Sequence, residues 1–499
     1  MNWVELFTAL CNTAVVATGV LITSVPLATC LAVLLQRTDV LGARAAWIIL
    51  SSQLVLPLIA TVGAWSAGFG TQGWWPLSQA MVVRSPLTAL AAVTFMHAVA
   101  AIPGAVLILS LGLRQARQSH EELAWLDGGG GNVLRRIVLP GLTPWLAATS
   151  FWVIVPVFTE MVVTNLYQVP TLPEQVYLDM SLGVASTMTY LVSLIGCVLP
   201  MCMLALGLRR HLPSLSQTYR DVHQHAPRRF NLRRWRWPVS LVLWTIVAMI
   251  VAIPSSNLLL KAGWQTEWDA GDMLIHRWTW QRFGLTLWET CSLFRPEFQW
   301  TATLAFSAAT CALVAAAALR LSSNRSTVMA VINLLCLVCI SLPGPLVANI
   351  TSGLLVTTRI PVLGWLYDHT LAAPILAQQT RLFPIAWLLV GGIAASISLT
   401  TRELAQLDRW SWWSRSWYVI WRPTWQLWLT TWLLLMAVSA GELSSHLLLL
   451  PPGVTTLAQR LFEFLHFGMR YQDSGLCLAF VVLGWLIAII VWNTRTGRA

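Results

Sequence analysis

Long apolar runs dominate this chain, and short segments that carry most of its charge separate them. A helix that crosses the hydrocarbon core of a bilayer needs about 20 mainly apolar residues. By that measure the sequence predicts eleven spans. They lie near 9–36, 43–67, 86–113, 141–164, 185–208, 237–257, 300–319, 326–354, 372–399, 424–446 and 474–493. Pro343, Pro345 and Pro384 interrupt the eighth and ninth runs, which is compatible with kinks or re-entrant pieces there.

The composition of the 499-residue chain points the same way, because 57% of its residues are hydrophobic and only 10% are charged. A soluble domain carries roughly 25% charged residues. The net charge of +11 does not indicate nucleic acid as a partner, since the arginines lie in short segments between apolar runs. The nine cysteines have no paired metal-ligand spacing, so we expect no metal site. The predicted class is an all-α, polytopic membrane protein.

The distribution of arginine predicts the orientation in the membrane. If the N-terminus lies outside, 22 of the 31 Lys and Arg residues fall in segments on the inner side. Membrane proteins concentrate these residues in their cytoplasmic segments. We therefore expect a periplasmic N-terminus and a cytoplasmic C-terminus. The basic segment 209–236 is the predicted cytoplasmic linker between a first half of about five helices, 1–208, and a second half of about six, 237–499.

Two polar segments that interrupt the apolar pattern are similar to each other. "SHEELAWLD" (119–127) is matched by "TTRELAQLD" (400–408). Equivalent residues are 281 to 283 positions apart: Glu122 and Glu403, Ala124 and Ala405, Asp127 and Asp408, Pro103 and Pro384, Pro140 and Pro423, and Glu160 and Glu442. Six predicted spans, an even number, separate the two segments, so both should face the inner side. This predicts two parallel repeated halves rather than inverted ones.

Both segments carry the signature of a helix N-terminus. Ser119 with Glu122, and Thr400 with Glu403, fit the capping box, in which a hydroxyl and a carboxylate bond the free amides of the first turn. In the first copy Gly128 would end the helix. The sequence predicts a short capped helix on the inner face of each half, although an ordinary surface helix would have the same pattern.

A family resemblance follows from these residues. Glu-x-Ala-x3-Gly followed by Ile-x-Leu-Pro resembles the cytoplasmic signature loop of binding-protein-dependent ABC importer permeases of the type I fold. The matching residues are Glu122, Ala124, Gly128, Ile137, Leu139 and Pro140. In the second copy Glu403 and Ala405 remain, Arg409 replaces the glycine, and Arg422 precedes Pro423 where the first copy has leucine.

Two other stretches extend the resemblance over much of the chain. "NTAVVATGVLITSVPLATCLAVLLQRTDVLG" and "GELSSHLLLLPPGVTTLAQRLFEFLHFG" are similar to the fused two-half permeases of ferric-ion and thiamine importers. The resemblance implies a bacterial inner-membrane permease whose loops dock on two copies of a cytoplasmic ABC ATPase. It also implies a periplasmic solute-binding protein, and as solute a thiamine-like compound, ferric ion or a related small molecule.

The chain itself is expected to bind no cofactor and to have no catalytic residue. It contains no G-x-x-x-x-G-K-[ST] sequence, so ATP and Mg are expected on the partner ATPase. Two other classes of protein stay open. One is a secondary transporter driven by an ion gradient without an ATPase. The other is a membrane-embedded enzyme, against which stands the absence of H-E-x-x-H and G-x-S-x-G sequences.

Polar residues within the apolar runs are the candidates for a solute pathway or gate, because ionisable groups in spans are costly and usually functional. They are Glu160, Glu442, His97, Gln378 and Arg381. His97 and Gln378 are also related by the repeat offset of 281. For the amide, the alternative is a hydrogen bond that packs two helices together. The tryptophan-rich segment 258–299 is either a platform for the solute-binding protein or an amphipathic surface loop.

Overall fold

Helices make up nearly all the regular structure of the chain. A computed structural model describes residues 3–70, 73–74, 86–114, 131–183, 187–209, 230–268, 274–322, 326–356, 360–397, 411, 414, 416–468 and 471–496. In these ranges six helices are long and apolar enough to cross a membrane, and three sharply bent helix pairs would also do so if each pair is one span. The chain is therefore an all-α, polytopic, membrane-embedded protein.

The first part of the chain is helical up to Arg209. Its helices are α1 (Trp3–Arg37), α2 (Ala43–Gln53), α3 (Leu58–Phe69), α4 (Pro86–Leu113), α5 (Gly131–Gly141), α6 (Thr143–Thr159), α7 (Val162–Leu166), α8 (Leu172–Ser181), α9 (Thr187–Ser193) and α10 (Leu199–Arg209). A π turn, Leu134–Val138, lies within α5, and a second, Leu194–Val198, joins α9 to α10.

The second part begins with a short 3-10 turn, Arg233–Trp235. Its helices are α11 (Arg236–Val247), α12 (Ile253–Ala262), α13 (Trp280–Leu293), α14 (Arg295–Ser322), α15 (Ser326–Ser341), α16 (Gly344–Val356), α17 (Pro361–His369), α18 (Ala372–Ala395), α19 (Arg422–Gly441), α20 (Leu457–Phe467) and α21 (Gln472–Thr496). The π turn Ala248–Ala252 joins α11 to α12, and Ser416–Trp421 precedes α19. Strands β1 (Trp264–Trp268) and β2 (Leu274–Trp278) form an antiparallel hairpin.

Prolines bend two of the predicted spans and leave a third continuous. The run predicted as 43–67 forms two helices, α2 and α3, and the chain bends by 106° between them. Pro57 directly precedes α3. The run with Pro343 forms α15 and α16, which meet at 110°. Pro384, in contrast, lies within the uninterrupted helix α18. Helices in membranes tolerate such a proline because neighbouring groups and local adjustments satisfy the freed carbonyl.

The C-terminal ends of α1 and α4 lie together. The buried Arg37, the last residue of α1, donates from Nη2 to the carbonyl of Leu113, the last residue of α4, at 2.5 Å. In the second part, the guanidinium of Arg320 near the end of α14 lies 4.8 Å from the ring centroid of Trp387 in α18. In both parts, then, a long helix ends beside the helix that precedes the polar segment.

Short helices are tied to long ones by the same hydrogen bond in both parts. The amide of Leu172, at the start of α8, donates to the hydroxyl of Thr13 in α1 at 2.9 Å. The amide of Leu457, at the start of α20, donates to the hydroxyl of Thr301 in α14 at 2.8 Å. Each threonine satisfies an amide at a helix N-terminus, a group that has no partner within its own helix.

Apolar clusters hold the helices together. The largest cluster joins α1, α4 and α6 of the first part to α11 of the second, and another comes mainly from α14, α18 and α19. A third, from α3, α12, α20 and α21, joins the two parts.

The predicted linker 209–236 is described only in part. Where its description resumes, the amide of Phe230 donates to the carbonyl of Arg37 at 2.6 Å, and that of Leu232 to Asp39 Oδ1 at 2.9 Å.

Candidate functional site

Two glutamates that the sequence relates by the repeat offset follow the ends of two long helices. Glu160 comes directly after α6, and Glu442 directly after α19. Both residues leave the helix in an extended conformation, with ψ of 130° at Glu160 and 135° at Glu442. The same backbone turn therefore carries a carboxylate away from each helix end.

Arg381 of α18 lies between these two carboxylates. Its Nη2 atom is 3.8 Å from Oε1 of Glu160, and its Nε atom is 3.5 Å from Oε1 of Glu442. Its hydrogen bonds go to Thr159, the last residue of α6: Nη1 donates to the hydroxyl at 2.8 Å and Nη2 to the backbone carbonyl at 3.1 Å. A cation at the C-terminal end of a helix is favourable because the last carbonyls carry partial negative charge. Arg381 thus caps α6 and pairs with both acids.

Two serines that follow α19 donate hydrogen bonds to the carboxylates of these acids. The hydroxyl of Ser444 donates to Oε2 of Glu160 at 2.5 Å, and it accepts from the amide of Met161 at 3.4 Å. The amide of Ser445 donates to Oε1 of Glu442 at 3.0 Å. Two residues of the second part therefore contact the end of α6, since Arg381 reaches Thr159 and Glu160 while Ser444 reaches Glu160 and Met161.

A second polar group lies one turn before Arg381 on α18. The hydroxyl of Ser439 donates to Oε1 of Gln378, and Nε2 of Gln378 is 3.5 Å from the carbonyl of Ser439 and 3.1 Å from Nδ1 of His446. The tautomer of His446 sets which of the two nitrogens donates in this contact.

The charge cluster is largely shielded from solvent. The side-chain exposures are 10% for Arg381, 16% for Glu160 and 6% for Glu442. Two carboxylates against one guanidinium leave one excess negative charge when all three groups are ionised. Ionised groups out of water are costly unless they are paired and hydrogen-bonded. The arrangement can hold a cation, and it can keep two helix ends together for as long as Arg381 stays in place.

His97, the fifth residue predicted for the pathway, is placed apart from this network. It lies on α4 with 2% of its surface exposed, and neither ring nitrogen has a hydrogen-bond partner among the described residues. Its equivalent, Gln378, is bonded to Ser439 and His446. The structure thus brings Glu160, Glu442, Arg381 and Gln378 together but does not join His97 to them.

The residues predicted to contact an ATPase are described only where they enter the following spans. Ile137 lies in the π turn within α5, and Leu139 and Pro140, both exposed, follow it. Pro423 stands in the first turn of α19, directly after the π turn Ser416–Trp421. The other predicted residues lie outside the described ranges: Ser119, Glu122, Ala124, Asp127, Gly128, Thr400, Glu403, Ala405, Asp408 and Arg409.

Several partners of the charge cluster were not predicted from the sequence. They are Thr159, Ser439, Ser444, Ser445 and His446. The sequence pattern could have indicated four of these residues, because "SAGELSSH" (439–446) is a dense polar stretch at the end of an apolar run. No sequence pattern indicates Thr159, since a threonine at a helix end is common and only packing brings Arg381 to it.

The chain was compared with protein families, with curated proteins and with solved structures, and none of the three comparisons found a match.

Proposed function

We propose that the chain is the transmembrane permease subunit of an ATP-driven, binding-protein-dependent importer, and that it forms the solute pathway. The observation that carries the proposal is the meeting of Glu160 and Glu442, equivalent residues of the two predicted halves, at one arginine. Transporters built from two repeats have their substrate and gate sites where the repeats meet. A buried ionic cluster at such a contact is a functional candidate by its chemistry.

Matched local features support two parallel halves within an eleven-span chain. The α2–α3 and α15–α16 pairs bend by 106° and 110°. Thr13 and Thr301 accept equivalent bonds from Leu172 and Leu457. If α6 and α19 both end at the cluster and run in the same direction, the polar segments before them lie at one face, where a partner could contact both.

The cluster would act as a gate between the halves. To separate α6 from α18, the chain must remove Arg381 from Thr159 and Glu160, and Ser444 from Glu160. Breaking a buried ion pair by removing one partner typically costs about 3–5 kcal/mol. Such a contact holds the closed state at rest, and an external source of free energy is needed to open it.

ATP hydrolysis on partner subunits is the proposed source. The resemblance of 119–140 to permease coupling loops supports it, and so does the degenerate second copy at 400–423. The partners would be two copies of a cytoplasmic ABC ATPase and one periplasmic solute-binding protein. The location would be the bacterial inner membrane, with the N-terminus periplasmic and the C-terminus cytoplasmic.

The test is to purify the tagged chain from its native membrane in mild detergent and to identify the proteins that come with it. A nucleotide-binding subunit at about two copies per chain is the expected result. A Glu122→Arg, Glu403→Arg double variant should lose that subunit and still insert, because both proposed contacts are reversed in charge. If the chain purifies without such a subunit and drives uptake with an ion gradient alone, it is a secondary transporter instead.

A further inference from the structure

Helix α13 has its charged residues on the inside and its uncharged residues on the outside. Its exposed residues from Trp280 to Ser292, called here the uncharged face, share the absence of any ionisable charge. They are Trp280, Gln281, Gly284, Leu285, Trp288, Cys291 and Ser292. The two indoles are 76% and 69% exposed. A helix face in contact with water normally carries charged and polar groups, so the absence of charge on this face is not typical of a water-exposed helix.

Both charged side chains of α13 have partners within the protein. Nη2 of Arg282 lies 3.8 Å from Oε2 of Glu289, and its guanidinium stacks 3.7 Å from the ring centroid of Tyr471. The side chains of Arg282 and Glu289 are only 15% and 28% exposed. On the same inner side, the hydroxyl of Thr286 donates to the carbonyl of Ala262 at 2.9 Å. The orientation of α13 about its axis is therefore fixed by specific contacts.

These contacts place α13 where three candidate spans end. Ala262 is the last residue of the candidate span Arg233–Ala262, and Tyr471 directly precedes the candidate span Gln472–Val491. Phe294 alone separates α13 from the candidate span Arg295–Ser322. A helix in contact with the ends of three spans lies at the level of the membrane surface.

The length of α13 excludes a span of its own. At about 1.5 Å per residue, its 14 residues extend roughly 21 Å, which is shorter than the ~30 Å hydrocarbon core. Tryptophan favours the headgroup zone, where its apolar ring and its N–H group both find suitable surroundings. Arg277 and Arg295, both exposed, flank the helix and suit the phosphates of that zone.

We propose that α13 lies in the surface layer of the membrane, with its uncharged face in contact with lipid. The exposed apolar residues of α14, such as Phe306 and Val314, continue this surface into the span that follows. The segment 258–299 is then not a platform for a soluble protein at α13, and the helix fixes the depth at which α12, α14 and α21 leave the membrane. The proposal does not depend on the transported solute or on an ATPase.

Spin labels on α13 test the proposal in the full-length protein in liposomes. Gly284→Cys is the main site, because a Cβ added there meets nothing within 4 Å. Native Cys291 is the second, and the remaining cysteines are replaced by alanine in both cases. Val314→Cys provides the lipid reference, and Asn231→Cys, an exposed position outside the candidate spans, provides the aqueous one. The readout is the collision rate of the label with oxygen relative to that with a water-soluble nickel complex.

The expected ratio of oxygen to nickel collisions at Gly284→Cys and Cys291 is several-fold above that at Asn231→Cys and below that at Val314→Cys, because the surface layer lies between water and the hydrocarbon core. A ratio equal to the aqueous reference would overturn the proposal, and it would leave the uncharged face free for a soluble protein. If the cysteine-free background does not fold, a photoactivatable phosphatidylcholine is used on the unaltered protein. Adducts between Phe283 and Leu293 support the proposal, and their absence there, with adducts on α14, contradicts it.

Discussion

The two parts of the chain end α6 and α19 in the same way but surround these ends differently. Glu160 and Glu442 share their position and their extended backbone. Arg381, however, has Ala100 as its counterpart at the repeat offset, and Ser444 has Val162. A strictly repeated site would hold two arginines and two acids. One arginine that serves two acids instead ties one part to the other, because its hydrogen bonds go to Thr159 of the first part.

This asymmetry shows that the side-chain donors to both acids come from one part of the chain. Glu160 and Glu442 lie at positions related by the repeat offset, and Arg381 and Ser444 of the second part contact Glu160 of the first. His97 and Gln378 differ in a similar way, since the buried histidine has no hydrogen-bond partner among the described residues whereas the amide is bonded to Ser439 and His446. The contacts of the cluster are therefore not repeated, although the positions of its two acids are.

Removal of the shared cation should have the largest effect. Arg381→Ala leaves two carboxylates buried without a counter-ion, and the free energy of unfolding should fall by about 3–5 kcal/mol. The thermal unfolding midpoint of the purified protein in detergent measures the loss. Arg381→Lys should lose less, because it keeps the charge but not the fork of donors to Thr159. An unchanged midpoint in Arg381→Ala would show that the cluster does not join the two parts.

Neutralising the acids should show that they share one cation. Glu160→Gln or Glu442→Gln alone removes the excess negative charge, so each single variant should unfold within about 1 kcal/mol of the parent. The double variant leaves Arg381 without an acid and should lose about 3–5 kcal/mol. The same unfolding measurement gives the coupling between the two sites. Additive effects of the two substitutions would contradict a shared cation.

Moving the arginine to the other part tests the equivalence of the two parts. In an Arg381→Ala background, Ala100→Arg places a guanidinium at the matching position of α4. If the repeat is real, this arginine reaches Glu442 and Glu160 from the opposite side and restores roughly half of the lost stability. Ala91→Arg, at an exposed position on the same helix, is the matched control and should restore nothing. Equal failure of both substitutions would argue against equivalent positions.

Ser444→Ala should have a smaller effect than removal of the shared cation. Ser444→Ala removes the hydrogen bond to the Glu160 carboxylate, and hydrogen bonds to charged groups contribute about 1.5–3 kcal/mol. Ser445→Ala is a matched control, because Ser445 contacts Glu442 through its amide and its buried hydroxyl has no hydrogen-bond partner among the described residues. Differential unfolding of the two variants is the readout. A larger loss in Ser445→Ala would place the important contact elsewhere.

Sequence reasoning predicted the all-α, polytopic class because a long apolar run needs a helix to satisfy its backbone in lipid. It identified Glu160, Glu442 and Arg381 because ionisable groups are rare in such runs. It did not predict that the run 43–67 divides at Pro57, since a proline breaks one helix and is accommodated in another, as Pro384 is. It also could not pair Arg381 with Thr159, since residues 222 positions apart meet only through packing that no local pattern encodes.

The central claim is that one arginine closes the contact between two equivalent parts of a transport pathway. Potassium flux into liposomes, followed with an enclosed fluorescent indicator in the absence of ATP, tests it most directly. The parent protein and Ser445→Ala should be tight. Arg381→Ala should leak potassium, because an opening lined by two carboxylates admits cations. A folded, monodisperse Arg381→Ala variant that is as tight as the parent would contradict the claim.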